Sequence, residues 1–151
     1  MPQRETPMQT WQDQQDISAL LIQYGWALDN RDWDALAGVF SADAQVDYGS
    51  LGLFEGQSAI VAVARAFIES CGATQHLIGN IRINVEGNQA QAQCYVQATH
   101  AAQQTQDPRL MTLWGEYRDQ LVRSDNGWVI IKRSLHIQHV HGDIGAPLKG
   151  R

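Results

Sequence analysis

GATQHLIGNIRI, residues Gly72 to Ile83, is where the chain changes period. Upstream, apolar residues recur with the spacing of a helix face. Downstream they alternate, which is the signature of strands. Helices followed by antiparallel strands joined through short turns predict an α+β fold. Within the stretch itself, Leu77, Ile81, Ile83 and Val85 share one parity, and Thr74, His76, Ile78 and Asn80 the other. One of these two rows must face the interior.

Working back from Gly72, Gln57 to Ser70 predicts a helix with Ile60, Ala64, Phe67 and Ile68 on one face, ended by the glycine. Gly49 to Gly56 reads as a hairpin or loop, and Ala44 to Tyr48 as a short strand. Trp33, Leu36, Ala37 and Phe40 define a short helix capped by Asp32. Ile17, Leu20, Leu21, Tyr24 and Leu28 define the first helix, expected to start near Asp13 or Asp16 and to stop at Asp29. Residues 1–12 are expected to form a flexible arm, 13–141 a single domain, and 142–151 a Gly/Pro-rich flexible tail.

Working forward, four strands are expected: Thr74–Glu86, Gln89–Ala102, Arg109–Arg123 and Trp128–His141. Gly87-Asn88 and Ser124 to Gly127 supply the turns. Strands of this length exceed the usual 5–6 residues, so the sheet must curl and leave a concave face for the helices to cover.

The second strand says where a cavity would lie. Ala90, Ala92, Cys94, Val96, Ala98 and His100 share its apolar parity, opposite a row of glutamines with Tyr95. Alanines leave room above themselves, and His100 points into that room. On the third strand Met111, Leu113, Gly115, Tyr117 and Leu121 form a similar row, interrupted by Asp119. A concave, mostly apolar space with a few polar groups is the usual form of a small-molecule site.

Composition narrows the function. The chain has 151 residues and a net charge of −5, with no Lys/Arg cluster, which argues against nucleic acid and other polyanionic partners. No apolar run approaches the ~20 residues that span a bilayer, and the first ten residues contain no apolar signal core. Cys71 and Cys94 form no CxxC pair and read as reduced thiols, so a cytoplasmic location is expected.

Tyr24, Asp29, Tyr48, His76 and His100 are the residues able to carry chemistry. Each has an ordinary alternative: a core tyrosine, a solvated helix terminator, a surface or core histidine. Asp29 is the odd one, because a carboxylate at a helix C-terminus opposes the macrodipole. A nearby histidine would account for it, since an Asp–His pair is the minimal general-base unit. His136, His139 and His141 invite a metal reading, but a strand puts only His139 and His141 on one face and no acidic or Cys ligand completes a set, so no metal is expected.

In order along the chain, Tyr24 with Asp29, Arg31-Asp32-Trp33-Asp34, Val46-Asp47-Tyr48, Thr74 to Gly79, and a strand ending in His100 resemble the SnoaL-like branch of the nuclear transport factor 2-like superfamily over roughly residues 13–140. Its enzymes include scytalone dehydratase, bile-acid 7α-dehydratase and hexachlorocyclohexane dehydrochlorinase. The resemblance implies a curved antiparallel sheet wrapped by three helices into a cone around a pocket. It implies His76 as a base, Asp29 as its orienting carboxylate, and Tyr24, Tyr48 and His100 as groups that polarise a substrate. Tyr117, Phe54, Leu28, Trp33 and His136 are expected to bind substrate within the pocket. Leu28, Gly115 and Tyr117 depart from the scytalone enzyme, so a different substrate is implied.

The resulting expectation is a cofactor-independent lyase or isomerase acting on a small cyclic metabolite. The alternatives are a non-catalytic small-molecule binder and an assembly subunit resembling the small subunit of ring-hydroxylating dioxygenases. A homo-oligomer, dimer or trimer, is expected. If the His76 row is concave, Leu77, Ile81, Ile83 and Val85 lie outside, where a second subunit is the simplest cover.

Overall fold

The computed structural model describes residues 5–145. Three helices, α1 (Pro7–Asn30), α2 (Trp33–Ala37) and α3 (Gln57–Glu69), cover one face of a six-stranded sheet. The strands are β1 (Phe40–Asp47), β2 (Leu53–Glu55), β3 (Thr74–Glu86), β4 (Gln89–Ala101), β5 (Leu110–Ser124) and β6 (Gly127–His141). Their order is β2-β1-β6-β5-β4-β3. The long strands pair as an antiparallel meander, but β1 runs parallel to β6, so the sheet is mixed rather than wholly antiparallel. It does not close on itself.

Two boundaries differ from expectation. Thr6, not Asp13 or Asp16, caps α1, its hydroxyl accepting from the Gln9 N–H, so residues 7–12 are helical rather than a loose arm. Residues 1–4 and 146–151, where the outer parts of the arm and tail were expected, lie outside the described residues. Within the described tail Ile144 is buried. Phe40 belongs to β1, because α2 stops at Ala37 and the chain is extended from Phe40.

Asp13 is an anchor instead of a cap. Fully buried, it accepts two bonds from Arg123, one from Trp128 Nε1 and one from Gln9. The Arg123 guanidinium holds its carboxyl down at about 2, against the burial that opposes it. The start of α1 is thereby tied to the β5–β6 turn.

The core row of β4 is as read from the sequence: Ala90, Ala92, Cys94, Val96, Ala98 and His100 are buried. The parity of β3 is not. His76 and Ile78 face inward opposite Ala98 and Val96, while Ile83 and Val85 face inward opposite Ala92 and Ala90. A β-bulge between Gly79 and Arg82, with Asn80 at φ 52°, inserts one residue and flips the alternation. Ile81, Ile83 and Val85 therefore pack on the core, and only Leu77 of that row is turned outward.

Asp119, the polar break in the β5 row, lies opposite Arg133 of β6, and the two side chains form a fully buried, two-bond ion pair of 2.7 and 2.9 Å. The Arg133 guanidinium lies 4.3 Å from the Tyr24 ring centre and 3.9 Å from that of Tyr117. Burial disfavours the cation, but the Asp119 charge outweighs it and holds the guanidinium protonated. Breaking such a pair on one side strands a buried charge. Arg133→Met is expected to lower stability by about 3–5 kcal/mol in urea unfolding, and Arg133→Met/Asp119→Leu to restore most of it.

Candidate functional site

The helices and the concave sheet face enclose a cavity of about 60 Å³ lined by fourteen residues, mostly apolar. Its polar members are Tyr24, Tyr48, Tyr117, His76 and His100. They come from α1, the end of β1, β5, β3 and β4, five separate parts of the chain.

The approach of α1 to β3 sets the first contact. Gly25 allows it: a Cβ there would stand 3.3 Å from His76 Cβ and 3.4 Å from Ile78 Cγ1. One turn later Asp29 meets β3. Its Oδ1 lies 2.7 Å from His76 Nδ1 and accepts from Thr74 Oγ1 at 3.0 Å; its Oδ2 accepts from the His76 backbone N–H at 2.9 Å. These donors answer why a carboxylate stands at the end of a helix. Burial raises the Asp29 carboxyl, but the His76 bonds win and it lies below its usual value.

Arg31 completes the clasp, and the sequence reading missed it. It takes the αL conformation that closes α1, at φ 54°, and its guanidinium donates to Thr74 Oγ1 and to the carbonyls of Asp29 and Gly72. A lone arginine after a helix carries no periodic signal, so only the meeting of Asn30–Arg31 with Gly72–Thr74 reveals it.

With Nδ1–H donating to a carboxylate, the His76 lone pair is on Nε2. The side chain is 5% exposed and lines the cavity. The His100 ring stands edge-on to it, centres 5.6 Å apart. His100 Nδ1 donates to the Met111 carbonyl at 3.1 Å. Burial pushes the His100 imidazole down to about 4. It is thus neutral at pH 7 and offers an acceptor, not a donor, at Nε2.

The tyrosines form a second polar group. Tyr24 and Tyr48 hydroxyls are 2.8 Å apart, and the Tyr24 and Tyr117 rings meet edge to face at 5.4 Å. Burial, then the neighbouring tyrosines, raises Tyr48 and Tyr117 well above the ordinary phenol range, so both stay protonated.

Leu28 and Tyr117 line the cavity. Three other residues expected there do not. Phe54 packs on the Tyr48 ring at 6.2 Å and supports the wall from behind. Trp33 lies under the Arg65 guanidinium. His136 is exposed on the outer face of β6 beside Glu116, bonded to Ser134 Oγ, because the alternation of β6 turns Leu135 inward. Among the described residues no group of three or more His, Cys, Asp or Glu could hold a metal. Ala64, Phe67 and Ile68 of α3 line the site; their helical face was legible, their proximity to His100 was not.

An α+β cone with helices over a curved sheet and a polar cluster within is the nuclear transport factor 2-like fold. The SnoaL-like domain model matches residues 9–134, and the chain belongs to that family. Uncharacterized protein Rv2910c of Mycobacterium tuberculosis is 32% identical over 124 residues, covering 80% of this chain and 82% of its own. Among solved structures, a provisionally named scytalone dehydratase of Novosphingobium aromaticivorans superposes with a TM-score of 0.84 at 22% identity, covering 96% of this chain and 97% of its own. A hexachlorocyclohexane dehydrochlorinase, LinA type 2, gives 0.82 at 16% identity, with 97% of each chain covered. At these identities the structural likeness speaks for the fold.

Two tests follow. Gly25→Val is expected to drive α1 off β3 and separate Asp29 from His76, seen as loss of the downfield Nδ1–H proton resonance while far-UV circular dichroism keeps its shape. For His100, the folded value lies below the unfolded one, near 6.5. The unfolded chain therefore binds more protons between about pH 6.5 and about 4, and stability falls as pH drops through that window. His100→Gln is expected to remove up to about 3 kcal/mol of that pH dependence in urea titrations.

Proposed function

We propose that this protein is a cofactor-independent lyase or isomerase that removes a proton from carbon in a small cyclic metabolite. The 2.7 Å Asp29–His76 contact beside a largely apolar cavity is the observation that carries the reading. His76 Nε2 would take the proton, and Asp29 would stabilise the imidazolium and hold the ring in the right tautomer.

The electron pair left on carbon forms a double bond as a neighbouring C–O bond breaks. The departing oxygen leaves as water by taking a proton from the Tyr24–Tyr48 pair, which is restored by the proton that His76 took from carbon. Tyr24 and Tyr48 share one hydrogen bond, so whichever hydroxyl donates, the other keeps an O–H for a ligand. His100, neutral and accepting at Nε2, suits a substrate hydroxyl rather than a carbonyl. In an isomerase the same base returns the proton to another carbon.

The cavity has room for a few water molecules. A ring-sized substrate would enter by displacing wall side chains. Half-buried Leu51, on the turn before Gly52, is one that can yield. That same small, mostly apolar lining favours a second reading, a carrier that holds an apolar metabolite without chemistry. Homo-oligomerisation belongs to the first reading; Leu77 and Tyr95, 60% and 52% exposed on neighbouring β3 and β4, are its candidate contacts.

Cyclic β-hydroxy ketones, with enone absorbance as the signal, test the chemistry. His76→Ala and Asp29→Asn are each expected to lower kcat/KM by about 10²–10⁴-fold with melting and ligand binding near wild type. Undiminished turnover in both variants overturns the base assignment, and binding without turnover in the wild type favours the carrier.

A further inference from the structure

The outer face of the sheet holds an open trough of about 560 Å³, on the side away from the cavity. Two cross-strand rows build it. Arg82, Gln93 and Arg118 stand directly opposite one another on β3, β4 and β5. Next to them Gln91, Gln120 and Lys132 do the same on β4, β5 and β6. All six side chains are exposed.

The charge of this trough stands out against the chain's net −5. Most described cations have an assigned partner: Arg65 binds Glu69, Arg109 binds Asp107, Arg123 binds Asp13, Arg133 binds Asp119, and Arg31 binds carbonyls. Arg82 and Lys132 have no hydrogen-bond or ion-pair partner among the described residues, and both lie here. Arg118 joins them, held at 3.2 Å by Glu116 on its own strand. Gln91, Gln93 and Gln120 also make no side-chain hydrogen bond among the described residues.

Neighbouring strands lie about 4.8 Å apart, so Arg82 and Arg118, two strands apart, are about 10 Å apart at the backbone, and Lys132 lies one strand beyond Arg118. Long flexible side chains from three such points can converge on one compact anion. The carboxamides between them add N–H donors for oxygen atoms beside the charge.

We propose that this trough binds a small polyvalent oxyanion, a phosphorylated or di- or tricarboxylic metabolite, at a site separate from the cavity. Charge complementarity carries the assignment: three cations gather here with Glu116 as the single acidic partner, bound to Arg118, and the excess like charge repels itself until an anion fills the space. Single-charge anions meet too few donors at once to be held.

Isothermal titration of the full chain at low ionic strength, with pyrophosphate, citrate and acetate, tests it. Pyrophosphate or citrate is expected to bind at least about tenfold tighter than acetate, and to weaken as sodium chloride is raised. Whichever of the two binds tighter identifies the phosphate or carboxylate source. Arg82→Gln/Lys132→Gln is expected to weaken that binding at least about tenfold, while Arg65→Gln on α3 leaves it unchanged. His76→Ala binds the anion like wild type, so this site stands or falls apart from the cavity's chemistry. Equal affinity for acetate, or undiminished binding in the double variant, overturns the proposal. So does a double variant that changes the particle mass in light scattering when no anion binds, which makes the trough a contact between copies.

Discussion

The Asp29 carboxylate is the point on which the site's geometry depends. It ties the end of α1 to the start of β3 through three hydrogen bonds. Two of its donors are the ring and backbone of one residue, His76, so the contact fixes both the strand's position and the ring's orientation. Gly25 one turn earlier lets the helix come close enough, and Arg31 after it binds the chain on either side of the gap. A helix terminus placed this way costs macrodipole energy. The charge-assisted bonds to a half-buried carboxylate offset it.

Beneath the cavity lies a different device. Arg133 and Asp119 bury opposite charges in the β5–β6 pair, and the guanidinium lies against the faces of Tyr24 and Tyr117. Nη1 of that guanidinium has no hydrogen-bond partner among the described residues. Aromatic faces carry negative quadrupole, so the rings stabilise a cation that burial alone would penalise. The same two tyrosines line the cavity. Packing and polarity of the site are therefore coupled: the group that supports the tyrosines is itself held by a residue two strand positions from Tyr117. The two histidines divide in character for a related reason. His76 has a carboxylate on its Nδ1 that orients its ring, whereas His100 bonds a carbonyl and burial keeps it uncharged at pH 7.

Much of this was legible because it is local. The alternation of β4 assigned its inner row and placed His100 in the interior. The helical spacing from Ile17 to Leu28 put Tyr24 on the buried face, and Asp29 announced itself by being the wrong charge for its end of a helix. Three departures arise where contacts beyond one element decide. Ile81, Ile83 and Val85 were placed outside because parity was carried through a bulge that nothing in the stretch marks except Gly79 and Asn80. His136 shares a strand face with Ser134, and pairing with β5 turns that face outward, not toward the pocket. Phe54 and Trp33 are aromatic and near the site in sequence, yet stand one layer behind it.

By itself the sequence determined the order of the three helices and the four long strands, the apolar faces of the helices and of β4, and the residues able to move protons, since all of these follow from side-chain spacing along one element. Tertiary structure alone decided which of them meet. The Asp29–His76 contact spans 47 residues, Arg133–Asp119 joins two strands across their register, and the three cations of the outer trough come from β3, β5 and β6. The chain shows no Lys/Arg cluster, and the fold makes one. Spacing along a chain encodes the direction of a side chain within its own element; only strand register, bulges and the approach of a helix to a sheet bring distant directions to a common point.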